Sequence, residues 1–139
     1  MKTIAFFDTK PYDRIWFDEY NDGRYELVYF EGKLNHHSAK VTADFDGVCA
    51  FVNDTVDAPV IDRLCEMGVK VLALRCAGFN NVDIAAATRK GIMVANVQKY
   101  CLDEVSDHVM ALVLTLMRRT AYMSSLLKKG EWAPAKARP

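Results

Sequence analysis

Two periods of apolar and polar residues alternate along the chain. Short apolar runs at 2–7, 25–30, 47–52, 69–74 and 92–97 are rich in β-branched and aromatic residues, and each predicts a buried strand. Between them lie stretches with helical character. Residues 12–20 place Ile15, Trp16, Phe17 and Tyr20 at roughly helical spacing, with Pro11 suited to the first turn. Asn21, Asp22 and Gly23 end that helix with turn residues. Residues 58–67 predict a second helix, with Pro59 near its start and Gly68 after its end. Residues 82–90 predict a third, favoured by Ala85, Ala86 and Ala87 and stopped by Gly91. The polar stretch 31–40 reads as a loop with at most one helical turn.

Five strands alternating with helices predict an α/β fold. The expected architecture is a five-stranded parallel sheet with helices on both faces, in the flavodoxin-like strand order 2-1-3-4-5. Ligands of such sheets sit beyond the carboxyl ends of the strands, which is where Arg75, Cys76, Ala77, Gly78, Phe79, Asn80 and Asn81 fall. A different element follows, a long C-terminal helix at 103–127 with Asp103 able to cap it and Glu104 suited to its dipole. From Val109 to Met117 only Thr115 is polar, so that helix needs cover from more than one side. The expected organisation is a sheet domain over 1–102, a helix packed on it over 103–130 and a linker over 131–139.

Composition narrows the partners. The chain has 139 residues, 51% apolar and 26% charged, and 18 basic side chains offset 18 acidic ones. That balance gives no footprint for nucleic acid or an anionic membrane. The longest apolar run, 109–117, is too short to span a bilayer. Cys49, Cys65, Cys76 and Cys101 form no C-x-x-C pair, so no metal site is expected, and scattered reduced cysteines without a leader suggest the cytoplasm.

The candidate chemistry centres on Gly78, which lets a ligand approach the backbone, so the amides of Ala77 and Gly78 can hold a small carboxylate. The alternative is that Gly78 only makes a turn and Arg75 pairs with a nearby acid. His108 sits in the apolar helix, and His36 and His37 are adjacent in a polar loop with no third ligand at a recognisable spacing. Asp8, Asp54 and Asp83, near predicted strand ends, read as loop or helix caps rather than acid catalysts. No two of the 7 glycines are separated by a single residue, so G-x-G-x-x-G is absent and the chain alone has no visible means of binding a dinucleotide. A hydroxyl-rich loop for the phosphate of FMN is missing as well, since Thr9 stands alone.

Several strings together resemble a known family. FVND at 51–54, LRCAGFNNVD at 74–83, VQKY at 97–100, Asp107-His108 and TKPYD at 9–13 are similar to the D-isomer-specific 2-hydroxyacid dehydrogenases, above all to the fermentative D-lactate dehydrogenases. The resemblance runs in order through nearly the whole chain. It implies the flavodoxin-like substrate-binding half of a two-domain enzyme whose Rossmann half binds NAD. It also implies that the amides matching Ala77 and Gly78 hold the substrate carboxylate, that Tyr100 faces the substrate, and that Phe51 and Asn53 border the cleft. The ligand would be a small 2-oxo or 2-hydroxy acid, and the helix at 103–127 would contribute to a homodimer.

The departures are specific. The family's catalytic arginine, glutamate and histidine have no counterpart here, so no catalytic residue is expected in this chain, and His108 matches a different histidine. Gln98 and Leu102 stand where the family has prolines, Cys101 where it has a polar residue, and Asp107 where it has glutamate. Losing prolines that fix φ loosens the loop around Tyr100. The leading expectation is the substrate-binding half of an NAD-dependent D-2-hydroxyacid dehydrogenase, inactive alone. The alternatives are a non-catalytic dimerisation or ligand-binding module of the same fold, and an FMN-binding flavodoxin-like protein.

Overall fold

The computed structural model describes residues 1–132 and Ala135. The chain divides into two compact units, Met1–Tyr100 and Cys101–Pro139.

The first unit carries β1 (Lys2–Phe6), α1 (Pro11–Asn21), β2 (Tyr25–Tyr29), a 3-10 helix (Ser38–Thr42), β3 (Gly47–Ala50), α2 (Ala58–Glu66), β4 (Val71–Leu74), α3 (Ile84–Lys90) and β5 (Met93–Ala95). All strand pairs are parallel, in the order β2-β1-β3-β4-β5, the expected topology. Alternate residues of a strand face opposite ways. Ala5, Phe7, Val48, Ala50, Leu72 and Leu74 therefore share one face, buried against Val60, Ile61 and Leu64 of α2 and Ala86 and Ala87 of α3. Phe6 faces the other way and packs on Phe17 of α1 with ring centroids 4.8 Å apart. Helices thus lie on both faces, but α1 leaves part of its face open, where Val71 and Met93 are exposed.

Several expected boundaries shift: the strands expected over 47–52 and 69–74 shorten to Gly47–Ala50 and Val71–Leu74, and three other shifts have local reasons. The helix expected from Val82 starts at Ile84, because Val82 pairs with Val56 in a parallel bridge and Asp83 accepts the N–H of Ala86 as the cap. The strand expected over 92–97 ends at Ala95, since Asn96 and Val97 turn to the loop after β4. The 3-10 helix supplies the single turn expected within 31–40 and extends it to Thr42.

The second unit corrects the long helix. Two helices, α4 (Leu102–Arg118) and α5 (Thr120–Lys128), replace the continuous helix expected over 103–127. Arg119 takes a left-handed φ of 52°, and its N–H closes on the carbonyls of Leu116 and Thr115, which ends α4. Cys101, not Asp103, holds the N-cap position and offers no side-chain cap, while Asp103 and Glu104 lie in the first turn, where acids suit the dipole. Beyond Trp132 and Ala135, the linker expected over 131–139 lies outside the described residues.

Candidate functional site

In a parallel sheet all carboxyl ends lie on one edge, so the loops after β1, β3 and β4 meet there. Their side chains tie them together. The Arg75 guanidinium lies 2.6 Å from the Asp13 carboxylate, donates to the carbonyls of Phe7 (2.5 Å) and Asp8 (3.3 Å), and stacks 4.7 Å from the Phe51 ring centre. Both partners of that ion pair are buried, with side chains 7% and 10% exposed, so this arginine has the pairing role that the simpler sequence reading gave it. Asp13 also accepts the N–H of Lys10 at 2.8 Å, fixing the start of α1. Asn81 donates to the carbonyls of Phe51 and Asp54, both at 3.0 Å, joining the β4 loop to the β3 loop.

The three acids near strand ends all have structural partners. Asp83 caps α3. Buried Asp54 accepts the N–H of Leu34 at 2.7 Å and of Phe51 at 2.6 Å. Burial pushes its pKa up, against those two hydrogen bonds. Asp8, also buried and at a left-handed φ of 48°, bonds Lys10 at 2.6 Å, which lowers its pKa against the opposing effect of burial. Asn53 reaches the second oxygen of Asp8 at 3.5 Å.

The amides after β1 and those after β4 differ. After β1 every N–H is used: Phe7 donates to Cys49, Asp8 to Gly32, Thr9 to Phe30 and Lys10 to Asp13. After β4, no described residue accepts the N–H of Ala77, Gly78, Phe79 or Asn80, and all four residues are exposed. Their neighbouring carbonyls are engaged: Cys76 O accepts from Val97 N at 3.1 Å, Ala77 O from the Asn96 side chain at 2.7 Å, and Gly78 O from the Cys76 thiol at 3.1 Å. A Cβ built on Gly78 would meet no atom within 4 Å, and its φ is not left-handed. Neither packing nor backbone conformation therefore demands glycine here. The start of α3 does not supply the donors, because it begins at Ile84 and Asp83 already caps it.

Tyr100 is exposed between Lys99 (φ 54°) and Cys101 (φ 53°), two non-glycine residues in the strained left-handed region. His36, His37 and His108 are exposed, and no group of three metal-ligating side chains occurs among the described residues. Burial pushes the Cys76 thiol up and that of Cys49 up to about 12, so both are thiols rather than nucleophilic thiolates at neutral pH. The residues present do not fit NAD. The first strand-to-helix turn has no glycine, and each of its amides already has an acceptor. A groove lined by Ile4, Tyr25, Gly47, Lys70, Val71 and Ala73 lies on the open sheet face, away from these loops.

Comparison with known proteins places this fold. Residues 4–137 match the family model described as D-isomer specific 2-hydroxyacid dehydrogenase, catalytic domain. The chain belongs to that family. A 2-hydroxyacid dehydrogenase homolog of Haemophilus influenzae is 41% identical over 117 residues, covering 84% of this chain and 35% of the relative. D-lactate dehydrogenase of Escherichia coli K12 is 40% identical over 117 residues, covering 84% and 36%. The apo-structure of D-lactate dehydrogenase from Escherichia coli matches with a TM-score of 0.80 and 34% identity, over 98% of this chain and 43% of that one. The chain thus spans little more than a third of the length of these curated relatives.

Asn96 and Asp13 tie these loops together and were not among the expected site residues. Asn96 fell inside the strand expected over 92–97, and the signal was a lone polar residue near the end of an apolar run. Asn81 was expected in the loop beyond β4, but its bonds to the β3 loop leave no mark in the sequence. Asp13 lay in the expected first helix, far from Arg75 in sequence.

Proposed function

We propose that this chain is the substrate-binding half of an NAD-dependent D-2-hydroxyacid dehydrogenase of the D-lactate type, and that the N–H groups of Ala77 and Gly78 hold the carboxylate of a small 2-oxo or 2-hydroxy acid. The observation that carries the reading is that two successive exposed amides without described acceptors flank a glycine whose missing side chain leaves them open to approach. Two N–H donors suit a carboxylate, because hydrogen bonds to an ionised acceptor are about twice as strong as neutral ones. Phe51, Asn53 and Tyr100 border the acid in this reading.

The protein's own part is binding and orientation. Hydride transfer between NADH and a 2-oxo acid needs a bound dinucleotide and an acid–base pair. NAD belongs to the full-length enzyme, and these residues give it no cradle. The test is a titration of the 139-residue chain with pyruvate, D-lactate and acetate, followed by amide NMR. Pyruvate or lactate should move the Ala77 and Gly78 signals more than acetate does. Shifts confined to other loops would sink the reading. The same chain should oxidise no NADH with pyruvate; turnover linear in protein concentration would overturn that part.

A second reading, a non-catalytic dimerisation module, is favoured by α4, none of whose residues is buried. The two readings share a homodimer through α4. Four free cysteines suit a reducing cytoplasm, and among the described residues no helix is long and apolar enough to cross a membrane.

A further inference from the structure

We infer that Asn96 is a positioning residue for the anion site: its side-chain amide sets the direction of the Gly78 N–H by holding the carbonyl of the same peptide unit. The inference rests on the carboxylate site proposed above and names the residue that pre-organises it.

A peptide unit is planar, and in the trans form its C=O and N–H point opposite ways. No cis peptide occurs among the described residues. Whatever grips a carbonyl therefore aims the next residue's N–H away from itself. Two neighbouring carbonyls are gripped by one segment just after β5. Val97 N–H donates to Cys76 O at 3.1 Å, which turns the Ala77 N–H away from residues 96–97. Asn96 donates to Ala77 O at 2.7 Å, which turns the Gly78 N–H away from them too. The two N–H groups then leave the same side of the loop, the arrangement in which successive amides make an anion-binding concavity. The first grip is backbone and does not depend on the Asn96 side chain. The second depends on the Asn96 side chain alone. Only its NH2 can donate to a carbonyl, so the amide orientation is fixed by the bond.

Gly78 gives this grip a purpose. Glycine populates more of φ/ψ space than any other residue, so the Ala77–Gly78 peptide is the unit of this loop most prone to turn over. An exposed glycine whose N–H lacks an acceptor has nothing on that side to hold it. Asn96 and the Cys76 thiol, which donates to Gly78 O at 3.1 Å, restrain it from its two carbonyl sides.

The test uses the 139-residue chain and two variants, Asn96→Ala and Asn96→Asp. Aspartate fills the same volume but presents acceptors where the NH2 stood. A packing role predicts that Asn96→Asp resembles the wild type. A donor role predicts that it disturbs the loop more than Asn96→Ala does. The first readout needs no ligand: the residual dipolar coupling of the Gly78 N–H, with Leu72 and Leu74 as core references. It should collapse toward an averaged value in both variants, more fully in Asn96→Asp, while the core couplings stay. An unchanged Gly78 coupling overturns the inference. The second readout is the Kd for oxamate, a 2-oxo-acid mimic, which should weaken roughly five- to tenfold in Asn96→Ala, the size of one lost hydrogen bond. A collapsed coupling with unchanged Kd overturns it as well. If the wild type binds no oxamate at all, the carboxylate reading fails, and the coupling alone decides for or against Asn96 as the grip on Gly78.

Discussion

At the scale of single residues, Gly78 carries the clearest message. Glycine is usually kept for a left-handed φ or for a tight approach of other chain segments, and neither applies here. A side chain at this position would project into open space beside two N–H groups that no described residue accepts from. Gly78→Val should therefore leave the fold standing, with a Tm within a few degrees of the wild type, and weaken pyruvate binding more than about tenfold by blocking approach to the amides. Thermal unfolding and an NMR titration on the same sample check both halves. A variant that unfolds, or one with unchanged affinity, would show the site is misassigned. Sequence reasoning singled out Ala77 and Gly78 because a glycine after an apolar run is visible by eye. Asn96 escaped, since its role depends on where β5 lies beside β4, and register is a tertiary fact.

At the scale of elements, alternation of apolar runs with helical stretches was enough to read five parallel strands and their order. What it missed were the ties between elements. Arg75 follows β4, yet its partners are the carbonyls after β1, the carboxylate of Asp13 in α1 and the ring of Phe51 after β3. An ion pair so far apart in sequence has no periodicity to betray it. The break at Arg119 was equally silent, since no glycine or proline marks it and the apolar pattern runs on toward Leu126 and Leu127. The Arg75 tie should be costly to cut. Removing one partner of a buried pair leaves the other charge unpaired, a loss of roughly 3–5 kcal/mol. Arg75→Met should lower the unfolding free energy by about that amount, measured in urea. Pairing it with Asp13→Asn should recover more than about 1 kcal/mol of the summed single losses, because the two sites share one interaction. Strict additivity would mean the pair contributes nothing as a pair.

At the scale of the whole molecule, the apolar side chains of α4 stand exposed. Val105, Val109, Leu112, Val113 and Leu116 are 62%, 52%, 51%, 42% and 78% exposed, and Met110, Leu114 and Met117 are 56%, 54% and 59% exposed. The first five form one stripe of the helix and the last three another, so apolar side chains face solvent around much of its circumference. Each Leu or Met left in water forgoes roughly 1.5–3 kcal/mol of burial. A row of them is an expensive surface for a monomer and a good one for an interface. A second copy is the simplest cover, because a two-fold axis lets the same helix serve as both donor and acceptor of the contact. It is also always present at the protein's own concentration. The expected state is a two-fold homodimer with α4 in a large apolar interface. Light scattering at micromolar concentration should give twice the chain mass. Leu112→Asp and Leu116→Asp should each return the protein to a monomer with an unchanged circular dichroism spectrum, since a carboxylate in that interface would be buried without a partner. A monomeric wild type would refute the dimer outright, and a dimer indifferent to both substitutions would place the interface elsewhere than on α4.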